Sequence, residues 1–473
     1  MIDEILARDG LAQAEAIAKG DTSAAELLEA AIARVERVNP ALNFIAQPMY
    51  ERGRKAAAGP FAGPFAGVPF LVKDLHLAIP GERMGEGSKL WDGARADYTS
   101  TLYHRHVAAG LNTFGKTTTP EFGLTVTTES AATGLTRNPW NLAHSAGGSS
   151  GGAACAVAAG VVAIAHASDG GGSIRCPAAA CGVFGLKPSR GRVPMGPHGT
   201  EGWLGLGVVH AVSRSVRDSA ALLDATHGPE NGSRYTATAP EFRFLSEVTR
   251  APGALRVAVM RTTITGVPVN PEVLAALDDA AKLLAGLGHH VEIAQPVLDG
   301  AALSTAMVAV LGAATAFEVG ERLAALGRSD AGSDLETVTQ MFVHIGKGTG
   351  GVQIMAANAL FQKTAIIVAD FMERFDIILS PVFAQPVIEL GKIDLSPTDM
   401  EAWTANILGY SPFTALANWT GQPAMSLPLG TDSHGLPIGV MATGRYGAEG
   451  MLYRLAGQVE RAAPWAGRRP AVS

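Results

Sequence analysis

The sequence predicts an α/β fold, and three observations lead to that prediction. Apolar residues make up 47% of the 473 residues and charged residues only 17%, a composition typical of a chain with a large buried core. The 56 glycines follow no period and lie in clusters, where a backbone turns tightly or approaches a ligand. Short apolar runs alternate with helical patterns, as in residues 255–260 followed by residues 271–286.

The amino-terminal third begins with helical signals and leads to a strand that ends in lysine. Ser23 and Glu26 form a capping box at the start of an amphipathic pattern, which we expect to end before Asn39 and Pro40. The duplicated residues 59–66 predict a loop. Residues 68–72 then predict an apolar strand, with Lys73 and Asp74 at its end.

Two glycine-rich loops flank a helix and a strand in the next segment. Residues 98–116 predict a helix followed by a strand, and a polar loop then leads to residues 147–152, GGSSGG. Small residues at 153–160 favour a tightly packed helix, and residues 161–166 favour a buried strand. The second loop, DGGGS at residues 169–173, follows directly.

The carboxy-terminal half continues the alternation. Polar residues 231–240 mark the edge of an inserted region. The nearly uncharged residues 303–317 are marginal in length for crossing a bilayer, so we expect a buried helix there. Residues 375–380 predict a strand, and residues 424–429 with 438–441 predict a hairpin across residues 432–435.

Charge and cysteine content exclude several classes of function. The 37 basic and 43 acidic residues give a net charge of −6, and no run of Lys or Arg is suited to nucleic acid. The acidic start of the chain does not resemble a signal peptide, so we expect a cytoplasmic protein without a membrane partner. The three cysteines, Cys155, Cys176 and Cys181, form no disulfide framework and no zinc-binding pattern.

Lys73, Ser149 and Ser173 are the candidates for chemistry. Lys73 is either a lysine that extends to solvent or, if burial lowers its pKa, a base. Ser149 lies in a loop that is either flexible or an anion site. Ser173 follows three glycines, whose amides can reach an oxyanion without obstruction by side chains. A serine nucleophile needs a base, and Lys73 could supply one.

Residues 147–151, GGSSG, also match the nucleophile elbow of esterases, with Ser149 as the nucleophile. The elbow requires a strand directly before the serine, whereas residues 137–146 contain Asn138 and Pro139 and show no apolar alternation. The later histidines lie in no recognisable motif. Both features count against the esterase interpretation, which is kept as an alternative.

Three ordered motifs resemble the amidase signature family: GGSSGG at 147–152, DGGGSIRCPA at 169–178 and GLKPSRGR at 185–192. Further matches are GVPFLVKD at 67–74, TRNPWN at 136–141, SRSVRD at 213–218 and GQPA at 421–424. The resemblance is dense from about residue 67 to 220 and thin from about 250 to 370. It implies that Ser173 is the nucleophile, that Ser149 is a bridging serine on a cis peptide after Gly148, and that Lys73 is the neutral base.

The resemblance also assigns the second glycine loop. It implies an oxyanion hole made by the backbone amides of Gly170, Gly171, Gly172 and Ser173. Asp169 and Arg175 either brace that loop as charged hydrogen-bonding partners or form a merely structural salt bridge. Many family members have Thr or Ile where this chain has Gly170, so we expect a looser loop with more room beside the substrate carbonyl.

The fold implied is a single α/β/α domain over residues 1–473, with a large central mixed β-sheet flanked by helices. Within it we expect a helical scaffold at about 1–65, the signature core at about 67–220, a variable substrate-side insertion at about 250–370 and a carboxy-terminal return at about 375–473.

The function implied is hydrolysis of a small, apolar amide, whether linear, cyclic or aryl, or of a carbamate, through an acyl-enzyme. No metal or organic cofactor is implied, and homo-oligomers are compatible with the sequence. A non-catalytic or amidotransferase subunit on the same fold is the other alternative. Substrate-binding residues are not identified, but cavity walls are expected from residues 125–130, 196–206 and helices between about 300 and 370. Four apolar side chains there belong either to the cavity or to the core: Met307, Phe317, Met341 and Phe342.

Overall fold

The structure, a computed structural model, describes residues 2–473 and contains a large central sheet with a small second sheet. Its strands are β1 (Ile45–Pro48), β2 (Pro69–Lys73), β3 (Asn112–Thr117), β4 (Glu129–Ser130), β5 (Gly134–Leu135), β6 (Ile164–Asp169), β7 (Phe184–Lys187), β8 (Val208–Ser213), β9 (Arg256–Val259), β10 (His290–Ile293), β11 (Ile377–Pro381), β12 (Ala424–Thr431) and β13 (Pro437–Gly444).

Eleven of these strands form one mixed sheet in the order β1-β3-β2-β6-β8-β7-β12-β13-β11-β9-β10. The pairs β3–β2, β2–β6, β11–β9 and β9–β10 are parallel, and the remaining pairs are antiparallel. Strands β4 and β5 pair separately. Because parallel and antiparallel pairs occur in one large sheet, the predicted α/β class with a large mixed sheet is confirmed.

Helices cover both faces of this sheet. They are α1 (Ile2–Leu6), α2 (Gly10–Lys19), α3 (Ala24–Leu42), α4 (Tyr50–Ala57), α5 (Thr101–Ala108), α6 (Gly151–Ala158), α7 (Arg175–Cys181), α8 (Val216–Thr226), α9 (Phe244–Glu247), α10 (Pro271–Gly286), α11 (Gly300–Ala325), α12 (Thr337–Gly348), α13 (Gly351–Phe371), α14 (Met400–Tyr410), α15 (Ala415–Thr420) and α16 (Glu449–Ala462).

Most element predictions are confirmed, with a shift at the end of α3 and another at β6, which spans Ile164–Asp169 and not residues 161–166. The capping box of Ser23 and Glu26 is present at the start of α3, and β12 and β13 form the expected hairpin. The prediction that α3 ends before Asn39 is wrong, because Pro40 lies inside the last turn and the helix ends at Asn43 in a left-handed conformation. Pro40 gives up one hydrogen bond of this turn, and the burial of Val38 and Leu42 in the hydrophobic core keeps the turn helical.

The alternation of side chains along β2 places the lysine at its end. Phe70 and Val72 pack in one hydrophobic cluster together with residues of α5 and α8. Leu71 packs in another cluster on the opposite face, with residues of α3 and α6. Since successive strand residues point to opposite faces, Lys73 points to the same face as Leu71, towards α6. β6 runs parallel to β2, so its last residue, Asp169, ends at the same edge of the sheet.

Helices α11 and α13 are long and apolar enough to cross a membrane by length and composition alone, with 33% and 22% of their most apolar windows buried. The expected buried helix at residues 303–317 is therefore only partly buried: Leu303 and Val310 pack inside, whereas Phe317 is exposed. Both helices pack against other elements, α11 on α12 and α13, and α13 on α15.

Candidate active site

Lys73 is fully buried at the end of β2 and faces two serine hydroxyls. Its Nζ donates hydrogen bonds to Ser149 Oγ at 2.7 Å and to Ser168 Oγ at 2.9 Å. Burial lowers the pKa of Lys73 to about 7, against the opposing influence of the Asp169 and Glu86 carboxylates. A lysine whose pKa is lowered to this range can be a neutral amine and accept a proton near neutral pH.

The first glycine loop fixes Ser149 above Lys73. The Gly148–Ser149 peptide is cis, as the resemblance to the family implies. A Cβ at Gly148 would lie 2.2 Å from the backbone oxygen of Thr127, so only glycine fits there. Thr128 Oγ1 donates to the carbonyl of Gly147 at 2.8 Å and accepts from the amide of Gly151 at 3.1 Å. These contacts hold the loop on both sides of Ser149.

The segment before Ser149 does not have the geometry of a nucleophile elbow. Residues 136–148, all of which the structure describes, contain isolated bridges and turns in place of a strand. The esterase alternative depends on a strand that ends at the serine. The local structure therefore gives no support to Ser149 as an elbow nucleophile.

The second glycine loop connects β6 to α7 and presents Ser173 to a cavity. Asp169 and Arg175, both fully buried, are joined by two hydrogen bonds of 2.9 Å. Asp169 also accepts from the backbone amides of Gly172 at 2.8 Å and Ile174 at 3.1 Å. Although burial raises the pKa of Asp169, the adjacent Arg175 outweighs it and holds that pKa below its usual range. The carboxylate thus stays ionised inside the loop.

Three of the four residues predicted to form the oxyanion hole have a backbone N–H group that makes no hydrogen bond within the protein. Among residues 2–473, the N–H groups of Gly170, Gly171 and Ser173 donate to no protein acceptor, whereas that of Gly172 donates to Asp169. Gly172 has a φ of +144°, which strongly favours glycine, so its part in the loop is conformational. The loop therefore offers three backbone donors, including that of Ser173 itself, close to the Ser173 hydroxyl.

The extra room expected beside Gly170 is filled by an aromatic ring. A Cβ at this position would lie 2.5 Å and 2.6 Å from two ring carbons of Trp203. The indole of Trp203 thus occupies the space that a side chain at residue 170 would need. Trp203 and Leu204 both have positive φ values, 52° and 57°, which are unfavourable for bulky residues and bring the ring to this position.

One cavity of about 580 Å³ is lined by Ser149, Ser168 and Ser173. Two of the three expected walls contribute to it, residues 196–203 and helix α11 through Ala314 and Phe317. The third, residues 125–130, does not line it, because the hydroxyls of Thr125 and Thr127 bind the carbonyl of Ile393. Apolar side chains dominate the remaining wall: Leu75, Met84, Trp91, Tyr98 and Met195.

A family model described as Amidase matches residues 26–453. The chain belongs to the amidase family. It is 39% identical over 475 residues to the 6-aminohexanoate-cyclic-dimer hydrolase of Paenarthrobacter ureafaciens, covering 98% of this chain and 96% of that protein. A solved structure of a 6-aminohexanoate cyclic dimer hydrolase superposes with a TM-score of 0.94 at 38% identity, over 99% of both chains.

A bacterial aryl acylamidase of the amidase signature family has a TM-score of 0.86 to this amidase at 28% identity, covering 98% of this chain and 99% of the other. Together with the family match, these relatives make the protein a hydrolase that acts on carbon–nitrogen bonds of non-peptide amides. Their high coverage means that the likeness extends over the whole fold and is not limited to the glycine loops.

Sequence reasoning missed three residues that shape the site of this amidase. Ser168 is the second hydroxyl partner of Lys73. Asn418 donates to Asp169 Oδ1 at 2.9 Å and accepts from Arg175 at 2.7 Å, and Thr414 donates to the carbonyl of Gly171 at 2.5 Å. Ser168 could have been found as a small polar residue in an apolar strand. Asn418 and Thr414 carry no such signal, because they lie more than 240 residues away in sequence.

Proposed function

We propose that this amidase hydrolyses its substrate through an acyl-enzyme on Ser173, with Ser149 and Lys73 as the proton relay. The observation that carries the proposal is the 2.7 Å hydrogen bond between Lys73 and Ser149 at a buried lysine whose pKa is about 7. Ser149 and Ser173 both line the cavity that would hold the substrate. A base, a bridging hydroxyl and a nucleophile are thus available along one wall.

In this mechanism Ser173 Oγ attacks the amide carbonyl carbon while its proton passes to Ser149, whose own proton passes to Lys73. The carbonyl oxygen gains negative charge and binds at the free amides of Gly170, Gly171 and Ser173. Loss of one such donor typically costs about 2.7–4 kcal/mol of transition-state stabilisation. The proton then returns through Ser149 to the leaving nitrogen, and water hydrolyses the ester with the same relay as base.

Asp169 and Arg175 act in this proposal by fixing the loop. Their buried ion pair lies directly behind the free amides, and Asn418 and Thr414 complete the hydrogen bonding around it. A buried charge left without its partner is strongly destabilising, so the pair has to be kept or lost together. The four residues thereby preorganise the donors before substrate binds.

The substrate we propose is a small, largely apolar amide, with linear, cyclic and aryl amides and carbamates as the candidate classes. The walls of the cavity are mainly aromatic and aliphatic, and its volume of about 580 Å³ suits a small molecule. Cyclic amides are included because a relative covering the whole chain is named for a cyclic dimer of 6-aminohexanoate. Carbamates offer the same carbonyl to Ser173.

We also propose that residues 1–473 form one domain and act in a reducing compartment such as the cytoplasm. Strands from residue 45 to residue 444 join a single sheet, which supports one domain. The cysteines Cys155, Cys176 and Cys181 are buried free thiols, which agrees with a reduced environment.

Labelling with a fluorophosphonate followed by peptide mass spectrometry tests the nucleophile. We expect the label on Ser173, its loss in Ser173→Ala and much slower labelling in Lys73→Met. A label on Ser149 would instead identify an elbow-type esterase. Absence of any label on the folded wild-type protein would favour a non-catalytic role.

A matched set of anilide, alkyl amide, ester and carbamate with the same hexanoyl-sized group tests the substrate class. We expect the anilide and amide to be hydrolysed with kcat/KM values at least comparable to that of the ester, because the relay must protonate an amine. A preference for the ester by several orders of magnitude would contradict the proposal.

A further inference from the structure

A second polar cluster lies in the wall of the same cavity and consists of His76, Glu86 and Glu318. Nδ1 of His76 lies 3.2 Å from Glu86 Oε2 and 3.7 Å from Glu318 Oε1. One ligand atom from each of the three residues lies within 4.8 Å of the others. His76 and Glu318 line the cavity together with Ser149 and Ser173, and Glu86 is buried behind them.

The backbone is built to bring His76 and Glu86 together. Both residues have positive φ values, 53° and 50°, which are uncommon for residues other than glycine. The amide of His76 donates to both oxygens of Glu86, at 3.0 Å and 3.2 Å. The hydrogen bonds that Glu86 accepts therefore come from His76, and they hold His76 at the cavity wall.

Glu318 is the acceptor that remains free. Among residues 2–473 its carboxylate takes part in no hydrogen bond, and its nearest basic group is His76 at 3.7 Å. Arg322, one turn further along α11, does not neutralise it: the Arg322 guanidinium donates to the carbonyl of Leu90 at 3.1 Å and lies over the ring of Trp91. A carboxylate in a mainly apolar wall, whose basic neighbour is a histidine at 3.7 Å that it shares with Glu86, is suited to a positively charged ligand group.

The cluster lies close to the base of the proposed proton relay, since His76 follows Lys73 by three residues and lines the same cavity as Ser149. Glu86 is close enough to Lys73 to act electrostatically on it, and Lys73 with Ser149 returns the proton to the leaving nitrogen. When the C–N bond breaks, that nitrogen takes the proton from Ser173 through the relay and departs as a neutral amine. An alkyl amine, whose pKa resembles that of lysine, then takes a second proton from water at pH 7 and becomes an ammonium ion.

We propose that Glu318, held beside His76 and Glu86, binds the ammonium form of the amine released during hydrolysis. The inference rests on the proposed amide hydrolysis, because that reaction supplies the ammonium ligand. It has a particular consequence for cyclic amides, whose amine stays joined to the acyl group. An amine held as ammonium has no lone pair with which to attack the ester, so water attacks and the ring does not close again.

Isothermal titration of the Ser173→Ala protein with hexylammonium chloride and, separately, with 1-hexanol tests this subsite without requiring turnover. The two probes have the same chain length and differ in charge at one end. We expect hexylammonium to bind at least about tenfold more tightly than 1-hexanol, as for a charge-assisted hydrogen bond. Adding Glu318→Gln should reduce that preference to about threefold or less.

Glu201→Gln is the matched control, because Glu201 lines the same cavity but is already paired with Arg234 at 2.5 Å. This variant should keep the preference for hexylammonium. Equal affinities for the two probes, or equal losses in Glu318→Gln and Glu201→Gln, would overturn the proposal. Binding of ZnCl2 by EDTA-treated protein that disappears in Glu318→Gln, with no preference for hexylammonium, would overturn it in favour of a metal site.

The titration tests the ammonium subsite independently of the labelling that tests the acyl-enzyme. Fluorophosphonate labelling of Ser173 with no preference for hexylammonium would reject the ammonium subsite and leave the acyl-enzyme intact. A preference for hexylammonium that depends on Glu318, in a protein whose Ser173 does not label, would support the subsite and reject the acyl-enzyme.

Discussion

Two strands of the central sheet end in a fully buried lysine, Lys73 on β2 and Lys187 on β7. Burial lowers the pKa of each to about 7. Their partners differ. Lys73 donates to the hydroxyls of Ser149 and Ser168, which line the cavity, whereas Lys187 donates only to the carbonyl of Pro188 among the residues described.

The difference shows that a lowered pKa is necessary for a lysine base but does not identify one. A neutral amine can act only on a proton that reaches it, and in the proposed relay Ser149 gives Lys73 such a path to the cavity. Lys187 has charged neighbours in place of hydroxyls: after burial, Arg175 has the largest effect on its pKa, and Asp169 opposes it. Lys187 therefore belongs to the charged frame behind the glycine loop.

Replacing each lysine by methionine gives the largest expected effect. Lys73→Met should lower kcat for an anilide substrate by about 10⁴-fold, because the relay loses its base. Lys187→Met should change kcat by less than about tenfold, since no proton path leads from Lys187 to the cavity. Release of the aniline measures both rates, and circular dichroism establishes that both variants are folded.

A loss of kcat in folded Lys187→Met as large as that in Lys73→Met would break the comparison. It would mean that both lysines take part in proton transfer. Lys73→Met with near wild-type kcat would instead remove Lys73 from the mechanism.

The two hydroxyls on Lys73 give the next largest effect. Ser149→Ala should lower kcat about 10³-fold, because the bridge between Ser173 and Lys73 is lost. Ser168→Ala should lower it only about tenfold, because Ser168 orients Lys73 without carrying the proton. The same anilide assay measures both. Equal losses would show that the relay does not distinguish the two serines and that Ser149 has no bridging role.

The sequence was sufficient for features that depend on local backbone and residue type. The strand ending in Lys73, the glycine loops and the helix at residues 271–286 all follow from local patterns. Contacts between distant segments could not be predicted. Trp203 fills the space beside Gly170, and Asn418 binds Asp169, because tertiary packing brings these residues together. Buried lysines are a similar case, since burial depends on the whole sheet.

The pH dependence of the rate distinguishes the lysines more finely. The base must be neutral, so kcat/KM should fall about tenfold per pH unit below the pKa of Lys73, which is about 7, and should level off above it. Lys187→Met should keep this acidic limb at the same pH, because the limb belongs to Lys73. A profile of kcat/KM against pH from 5 to 9 measures it, and disappearance of the limb in Lys187→Met would assign the base to Lys187.

The smallest expected effect is on the pH dependence of the free energy of unfolding, and it should be the same for both lysines. An unfolded lysine titrates near 10.5, and the folded pKa of each is about 7. Between these values the unfolded chain binds one more proton per lysine, so each lysine makes the free energy of unfolding rise with pH, by up to about 1.4 kcal/mol per unit. Lys187→Met should reduce this slope by up to that amount, and Lys73→Met should do the same.

Urea denaturation of the three proteins at pH 7, 8 and 9 measures the slopes. An unchanged slope in Lys187→Met would mean that Lys187 stays charged when folded, and the two lysines would then differ in pKa as well as in partners.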